Sequence, residues 1–202
     1  MRSAVILAGG VGSRLGREKS LIEFDGRPLI QWSVEKLAPF VEDVVVVARG
    51  PEQARQLGDL IPDAAITFDS ISGYGPVAGL AAGMGQARNE YVLAIGCDLP
   101  FLNAGVINLL FEQAQGWDAA IPMRENGMIE PLHCVYKRDA LHSACQKAIE
   151  HGERRIRAPL SMLRVKCVAV ELLKNLDPEL LTFFNLNTRE DLDLARCLWS
   201  KR

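Results

Sequence analysis

Val5-Ile6-Leu7-Ala8-Gly9-Gly10-Val11-Gly12-Ser13-Arg14-Leu15-Gly16-Arg17-Glu18-Lys19 is an apolar run that opens into a bend rich first in glycine and then in fixed positive charge. Glycine lets a backbone turn sharply and approach a ligand closely, and successive N–H groups in such a bend form a concavity for anions. A buried strand that feeds this kind of loop predicts an α/β fold with a phosphate-bearing ligand at the strand's carboxyl end.

The spacing separates three kinds of phosphate loop. A Walker A loop needs Gly-Lys-Ser/Thr in succession, but Arg17 and Glu18 stand between Gly16 and Lys19, which excludes it. A dinucleotide fingerprint needs Gly-x-Gly-x-x-Gly; Leu15 holds the third glycine's place and Gly16 comes one position late. A nucleotidyltransferase loop, in which small residues admit a triphosphate and Arg14 and Lys19 neutralise it from the side, fits every residue.

Outward from this loop, short β-branched runs alternate with helical periods, as in a mostly parallel sheet covered by helices on both faces. The strands expected first are 3–8, 43–48, 64–68 and 91–96. The unbroken run Val44-Val45-Val46-Val47 predicts a strand buried on both faces. Later strands are expected at 119–123, 131–137 and 166–172. Helices are expected from Pro28 as a first helical residue, from Pro76 through Met84, and near 103–115, 138–150 and 154–163. Thr188-Arg189-Glu190-Asp191 reads as a capping box before a final helix. With no repeat, low-complexity tract or linker, residues 1–202 are expected to form one Rossmann-like, three-layer domain.

Ligands of open α/β sheets lie beyond the carboxyl ends of the strands, which gathers the loops after the first four strands around one crevice. Asp98, in Gly96-Cys97-Asp98-Leu99-Pro100, is a hard oxygen ligand on a rigid strand end and suits Mg²⁺ that shares its shell with phosphates and water. Its alternative is a turn or N-cap aspartate. Arg14 and Lys19 would offset charge on the phosphates and on departing pyrophosphate, unless they are solvated surface cations. Asp69 is placed to meet a ribose or base edge, or to make an Asx-turn. Gly75 and Gly79 bracket a helix start that would favour an anionic second substrate, or they serve tight packing. Asn185 and Asn187 are ligand contacts or caps. Glu130 is a pocket-wall candidate, and His133, His142 and His151 show no metal spacing.

Composition narrows the class. A formal net charge of -2 gives no global attraction for nucleic acid or an acidic membrane, so a small ligand is expected. Five scattered cysteines without a Cys-x-x-Cys pair argue against a disulfide framework or zinc and for a reducing compartment. No apolar run approaches the roughly 18 residues that span a bilayer. A cytoplasmic enzyme, monomeric or weakly homo-oligomeric, is expected.

These residues resemble the nucleotidyltransferase family that includes molybdenum cofactor guanylyltransferase. The likeness is carried by Leu7-Ala8-Gly9-Gly10 with Gly12, Arg14, Gly16 and Lys19; by Phe24-Asp25-Gly26-Arg27-Pro28-Leu29-Ile30; by Asp69 with Gly75-Pro76-Val77-Ala78-Gly79; by Cys97-Asp98-Leu99-Pro100; by Glu130-Pro131-Leu132; and by Asn185-Leu186-Asn187-Thr188 with Glu190-Asp191. It implies a nucleotide-diphospho-sugar transferase type of fold. It also implies Mg²⁺-dependent attack by the terminal phosphate of a molybdopterin-type acceptor on the α-phosphorus of GTP, with release of pyrophosphate. On that resemblance Leu7, Ala8, Gly9, Gly10 and Gly12 contact the nucleotide, Lys19 its phosphates, Asp69 the nucleoside and Asp98 the metal. Arg14, Lys19 and Asp98 are its catalytic residues, while Gly75, Gly79, Asn185 and Asn187 face the acceptor.

The chain departs from the family pattern twice. The loop before Lys19 is one residue shorter than the bacterial form, and Val47 stands where the family has an asparagine, which leaves the choice of base open. A cytidylyl or sugar-phosphate nucleotidylyltransferase shares the first loop. An NADP-dependent reductase would use Arg49 against a 2′-phosphate but lacks a Tyr-x-x-x-Lys pair, and a regulator without turnover would bind nucleotide alone.

Overall fold

In a computed structural model of the chain, residues 1–12, 17–69, 71 and 74–200 are described. Arg14 and Gly16 of the expected loop lie outside the described residues.

The first apolar run forms β1 (Arg2–Leu7). Two small antiparallel pairs follow, β2 (Val11–Gly12) with β3 (Arg17–Glu18) and β4 (Glu23–Phe24) with β5 (Arg27–Pro28), leading into α1 (Leu29–Leu37). Next come β6 (Asp43–Ala48), α2 (Pro51–Leu60), β7 (Ala65–Phe68), α3 (Pro76–Gln86), β8 (Tyr91–Gly96) and α4 (Ala104–Gln113). The remainder comprises β9 (Ala119–Met123), β10 (His133–Lys137), α5 (Arg138–Glu150), α6 (Arg157–Leu160), β11 (Val165–Ala169), α7 (Val170–Leu173) and α8 (Arg189–Trp199).

Seven strands join one sheet in the order β11-β9-β10-β8-β1-β6-β7. Strand β10 runs antiparallel to both of its neighbours and the other pairings are parallel. Alternation of side chains sends Ala4 and Ile6 to one face, where they join Val44, Val46, Ile30, Leu57 and Leu110. Val5 goes to the other, with Val45, Val47, Leu80, Met84 and Leu141. Burial on both faces explains the continuous valine run and gives the expected three layers. A third cluster gathers Phe24, Leu29, Trp32, Phe101, Leu186 and Ala195 beside the sheet.

Helix α3 lies unusually close to β1 and β6. A Cβ on Gly83 would stand 2.5 Å from Val5 Cγ1 and 2.9 Å from Val47 Cγ2, so only glycine fits this contact. The helix therefore trades intrinsic propensity for intimate packing.

Four sequence expectations are corrected. Pro28 is not the first helical residue: it pairs with Glu23 in β5 and caps α1 at ψ 140. The helix expected over 154–163 is only the turn Arg157–Leu160. The strand expected over 166–172 ends at Ala169, because Val170 and Leu173 are buried and Glu171 and Leu172 exposed, a helical spacing that makes α7. The strand expected from Pro131 begins at His133. Helix α2 was not expected at all: in PEQARQLGDL only Gln53 and Leu57 are buried, so the apolar period is too sparse to read.

Candidate active site

Strands β8, β1, β6 and β7 lie side by side and parallel, so their carboxyl ends open onto one edge of the sheet. A cavity of about 700 Å³ lies there, and Gly9, Lys19, Arg49, Asp69, Gly75, Gly79 and Asp98 all line it. Leu7 and Val47 contribute its apolar floor.

At the β8 side, Lys19 Nζ donates to Asp98 Oδ2 at 2.7 Å and to Asn187 Oδ1 at 2.7 Å. Both charged side chains are only 16% exposed, so the pair is better shielded than an ordinary surface ion pair. Asp98 keeps this position because Gly96 has no side chain: a Cβ there would stand 2.6 Å from Asp98 Oδ1. The Asp98 backbone is held as well, its carbonyl accepting from Leu186 N at 3.0 Å. A residue near the carboxyl end of the chain thus fixes the acidic strand end.

Among the described residues no three His, Cys, Asp or Glu side chains gather into a metal cage. A lone carboxylate beside an ammonium fits a cation that arrives with a polyphosphate and draws the rest of its shell from phosphate and water. Magnesium is a cation of that kind. Cys97 lines the same wall, but burial pushes its thiol up to about 12, which leaves it protonated and unfit as a nucleophile.

The β1 and β6 ends are tied together by a residue that no sequence motif marks. Gln53, in the first turn of α2, is 3% exposed. Its Nε2 donates to Ala8 O at 3.1 Å and lies 3.3 Å from both Glu18 Oε2 and Ser20 Oγ. Its Oε1 accepts from Arg49 N at 2.7 Å. The Arg49 guanidinium pairs with Glu18. Adjacent residues of the loop's return arm therefore reach in opposite directions, Glu18 toward the β6 end and Lys19 toward the β8 end. Gly9 packs closely against the β6 end, where a Cβ would come within 3.3 Å of Arg49 Cα and require it to give by a few tenths of an ångström.

On the far side, Asp69 Oδ1 accepts from Ile71 N at 2.7 Å, so the Asx-turn is present and the carboxylate still lines the cavity. Gly75 adopts φ 54 and ψ -132 at the start of α3, a conformation that L side chains rarely reach. Gly79 faces Leu7 at a Cβ distance of 3.2 Å and lines the cavity too, so packing and ligand access coincide. Next to Gly75, the Tyr74 ring carries the Arg154 guanidinium 5.6 Å from its centroid.

Other candidates fall elsewhere. Asn185 donates to Phe183 O at 3.0 Å and is engaged in its own loop, whereas Asn187 reaches Lys19. Glu130 pairs with Arg124 at 2.8 Å. His133 is buried, its Nε2 3.2 Å from Thr182 Oγ1, and burial lowers its pKa to about 4. The expected capping box is present: Thr188 Oγ1 accepts from Asp191 N at 3.1 Å and Asp191 Oδ2 from Thr188 N at 2.8 Å.

The profile of the MobA-like NTP transferase domain matches residues 4–165. A "probable molybdenum cofactor guanylyltransferase" of Methanosarcina mazei is 41% identical over 199 residues, covering 95% of this chain and 88% of the relative. The crystal structure of molybdopterin-guanine dinucleotide biosynthesis protein A from Archaeoglobus fulgidus superposes with a TM-score of 0.87 at 36% identity over all of both chains. At 21% identity, 2-C-methyl-D-erythritol 4-phosphate cytidylyltransferase from Thermus thermophilus shares the fold, with a TM-score of 0.71 over 98% of each chain.

Proposed function

Because the chain belongs to the MobA-like NTP transferase family, we propose that it transfers GMP from GTP to the terminal phosphate of a molybdopterin-type acceptor and releases pyrophosphate. The relatives' names support the reaction, and the observation that carries it here is the convergence of Lys19, Asp98 and Asn187 at one end of the cavity. An oxygen of the acceptor phosphate attacks the α-phosphorus of GTP. The new O–P bond forms as the bond from the α-phosphorus to the bridging oxygen breaks, and the electron pair leaves with pyrophosphate.

Little proton chemistry is needed, since the attacking phosphate is already ionised near neutral pH; positioning and charge stabilisation do most of the work. Lys19 would hold the phosphates and offset charge growing on the leaving group. Asn187 would keep the ammonium aimed at the cavity. Asp98 would hold magnesium, whose contribution when bound is to neutralise and orient the phosphates. Gly9 and Gly10 would admit the phosphate chain close to backbone N–H groups, and Asp69 would meet the nucleoside. Arg14 would add a second cation, and Gly75 and Gly79 would leave space for the acceptor.

The unpaired thiols, and the lack of any helix among the described residues long and apolar enough to cross a membrane, support placement in the cytoplasm. The test is pyrophosphate release from GTP with acceptor and magnesium. Asp98→Asn is expected to lower turnover about a hundredfold or more while leaving the circular-dichroism melt in place. Undiminished metal-dependent turnover by that variant refutes the role given to Asp98.

A further inference from the structure

The side chain of Val47 packs beneath α3 against Gly79 and Gly83, and at the cavity floor it presents only methyl groups, with no hydrogen bond to offer a base edge. Two residues further on, just past the end of β6, comes Arg49, which lines the cavity. Across the sheet the strand ends run from Asp98 after β8, through Gly9 after β1 and Arg49 after β6, to Asp69 after β7. Neighbouring strands lie about 4.8 Å apart, so the first and last of these ends are separated by roughly 14 Å. With phosphates at the Lys19–Asp98 end, the nucleoside extends toward β6 and β7, where Arg49 and Asp69 bring charged side chains to the cavity wall.

Arg49 is held for such a task. Gln53 fixes its backbone N–H at 2.7 Å, and Glu18 takes its Nη2. Nη2 carries a second hydrogen, so together with Nη1 or Nε, which make no further bond among the described residues, it still offers a two-donor edge. A guanidinium presents a planar fork of donors that matches the paired acceptors O6 and N7 of guanine, whereas adenine offers an amino group where guanine has O6.

Resting on the guanylyl-transfer reading above, we propose that Arg49 is the residue that reads the base, donating to guanine O6 and N7 from the end of β6. Glu18 and Gln53 are its positioning residues: they orient the fork and touch no base themselves.

The experiment is calorimetric titration of the full chain with the magnesium complexes of GTP, ATP, CTP and UTP, without acceptor, for wild type, Arg49→Met and Arg49→Gln. Thermal melts are run alongside, and the second variant serves should the first not fold. Wild type is expected to prefer GTP, and either variant to lose about tenfold to a hundredfold in GTP affinity with little change for ATP, the span of one bidentate base contact. An equal fall for all four nucleotides means that Arg49 meets phosphate, and this overturns the assignment. So does a GTP preference that survives both substitutions. A wild-type chain with no preference for GTP overturns the guanylyl reading itself, an outcome distinct from failure of Arg49 alone.

Discussion

Gly96→Ala tests the geometry of the acidic strand end without removing a functional group. Gly96 closes β8 opposite Leu7, and its φ lies outside the positive range that would forbid alanine. The added Cβ would stand 2.6 Å from Asp98 Oδ1, below the 3.0 Å that such contacts essentially never breach, so the oxygen must retreat by at least about 0.4 Å. That oxygen shares its carboxylate with the Oδ2 that holds Lys19 at 2.7 Å, and the two turn together. A misplacement of about 1 Å costs a reaction on the order of a hundredfold, so this displacement is worth about tenfold in kcat. The clash is relieved by rotation of one side chain rather than by backbone movement, which keeps the stability cost within about 1 kcal/mol. Pyrophosphate release at saturating GTP and acceptor, repeated over a magnesium titration, is the assay, with a thermal melt as control. Turnover and metal dependence both equal to wild type would show that the carboxylate's position does not matter, and would refute the reasoning.

Asn187→Ala removes one of the two acceptors of the Lys19 ammonium while Thr188 and Asp191 still cap α8. Its kcat/KM for GTP is expected to fall about tenfold to a hundredfold, as for one lost charge-assisted hydrogen bond, with an unchanged melt; steady-state kinetics that match wild type count against it. Buried His133 supplies the pH prediction. Its pKa falls from 6.5 to about 4 in the fold, so between those values the unfolded chain takes up a proton that the folded chain refuses. Its contribution is complete above pH 6.5 and is lost as pH falls toward 4, a change of roughly 3 kcal/mol over that window. Urea unfolding at pH 7.5 and pH 5 should show a steeper acid loss for wild type than for His133→Phe, and equal losses would place the imidazole's proton elsewhere.

The parts of this protein that could be read from its sequence are those in which one residue type has one physical use. A valine run with no alternation is buried on two faces, and a glycine-rich stretch leading from an apolar strand to Lys19 brings that cation to the cavity at the strand ends. The place of Asp98 at the cavity was legible for the same reason, since it stands two residues beyond a buried strand and is followed by Pro100. Gln53 was not, because a glutamine in a polar helix looks solvated, and its burial follows only from β1 and β6 lying side by side. Helix α7 is not legible, because Val168, Ala169 and Val170 suit a strand as well as a helix, and only the exposure of Glu171 and Leu172 separates the two. The partition of Asn185 and Asn187 depends on which one clears the loop to reach Lys19, a matter of backbone path rather than residue type.

The profile that identifies the family ends at residue 165, yet the site draws on residues well beyond it. Leu186 N holds the Asp98 carbonyl and Asn187 holds Lys19, so both charged groups lean on the segment that leads into α8. That segment is itself anchored at two points. At its start, Asp191 Oδ2 accepts from Asn187 N at 2.9 Å and from Thr188 N at 2.8 Å; burial alone would raise the Asp191 pKa, but these bonds outweigh it and hold the carboxyl below its usual range. At its far end, Trp199 packs edge-on against Phe24 at 5.6 Å and Trp32 at 4.9 Å, and tilted against Phe101 at 6.3 Å. Phe24 follows Lys19 by five residues and Phe101 follows Asp98 by three, so one aromatic cluster braces both halves of the ion pair. Functional groups held by packed and hydrogen-bonded neighbours keep their geometry when substrate arrives. In this chain the last helix therefore supports the candidate site from behind, although no side chain of α8 itself lines the cavity among the described residues.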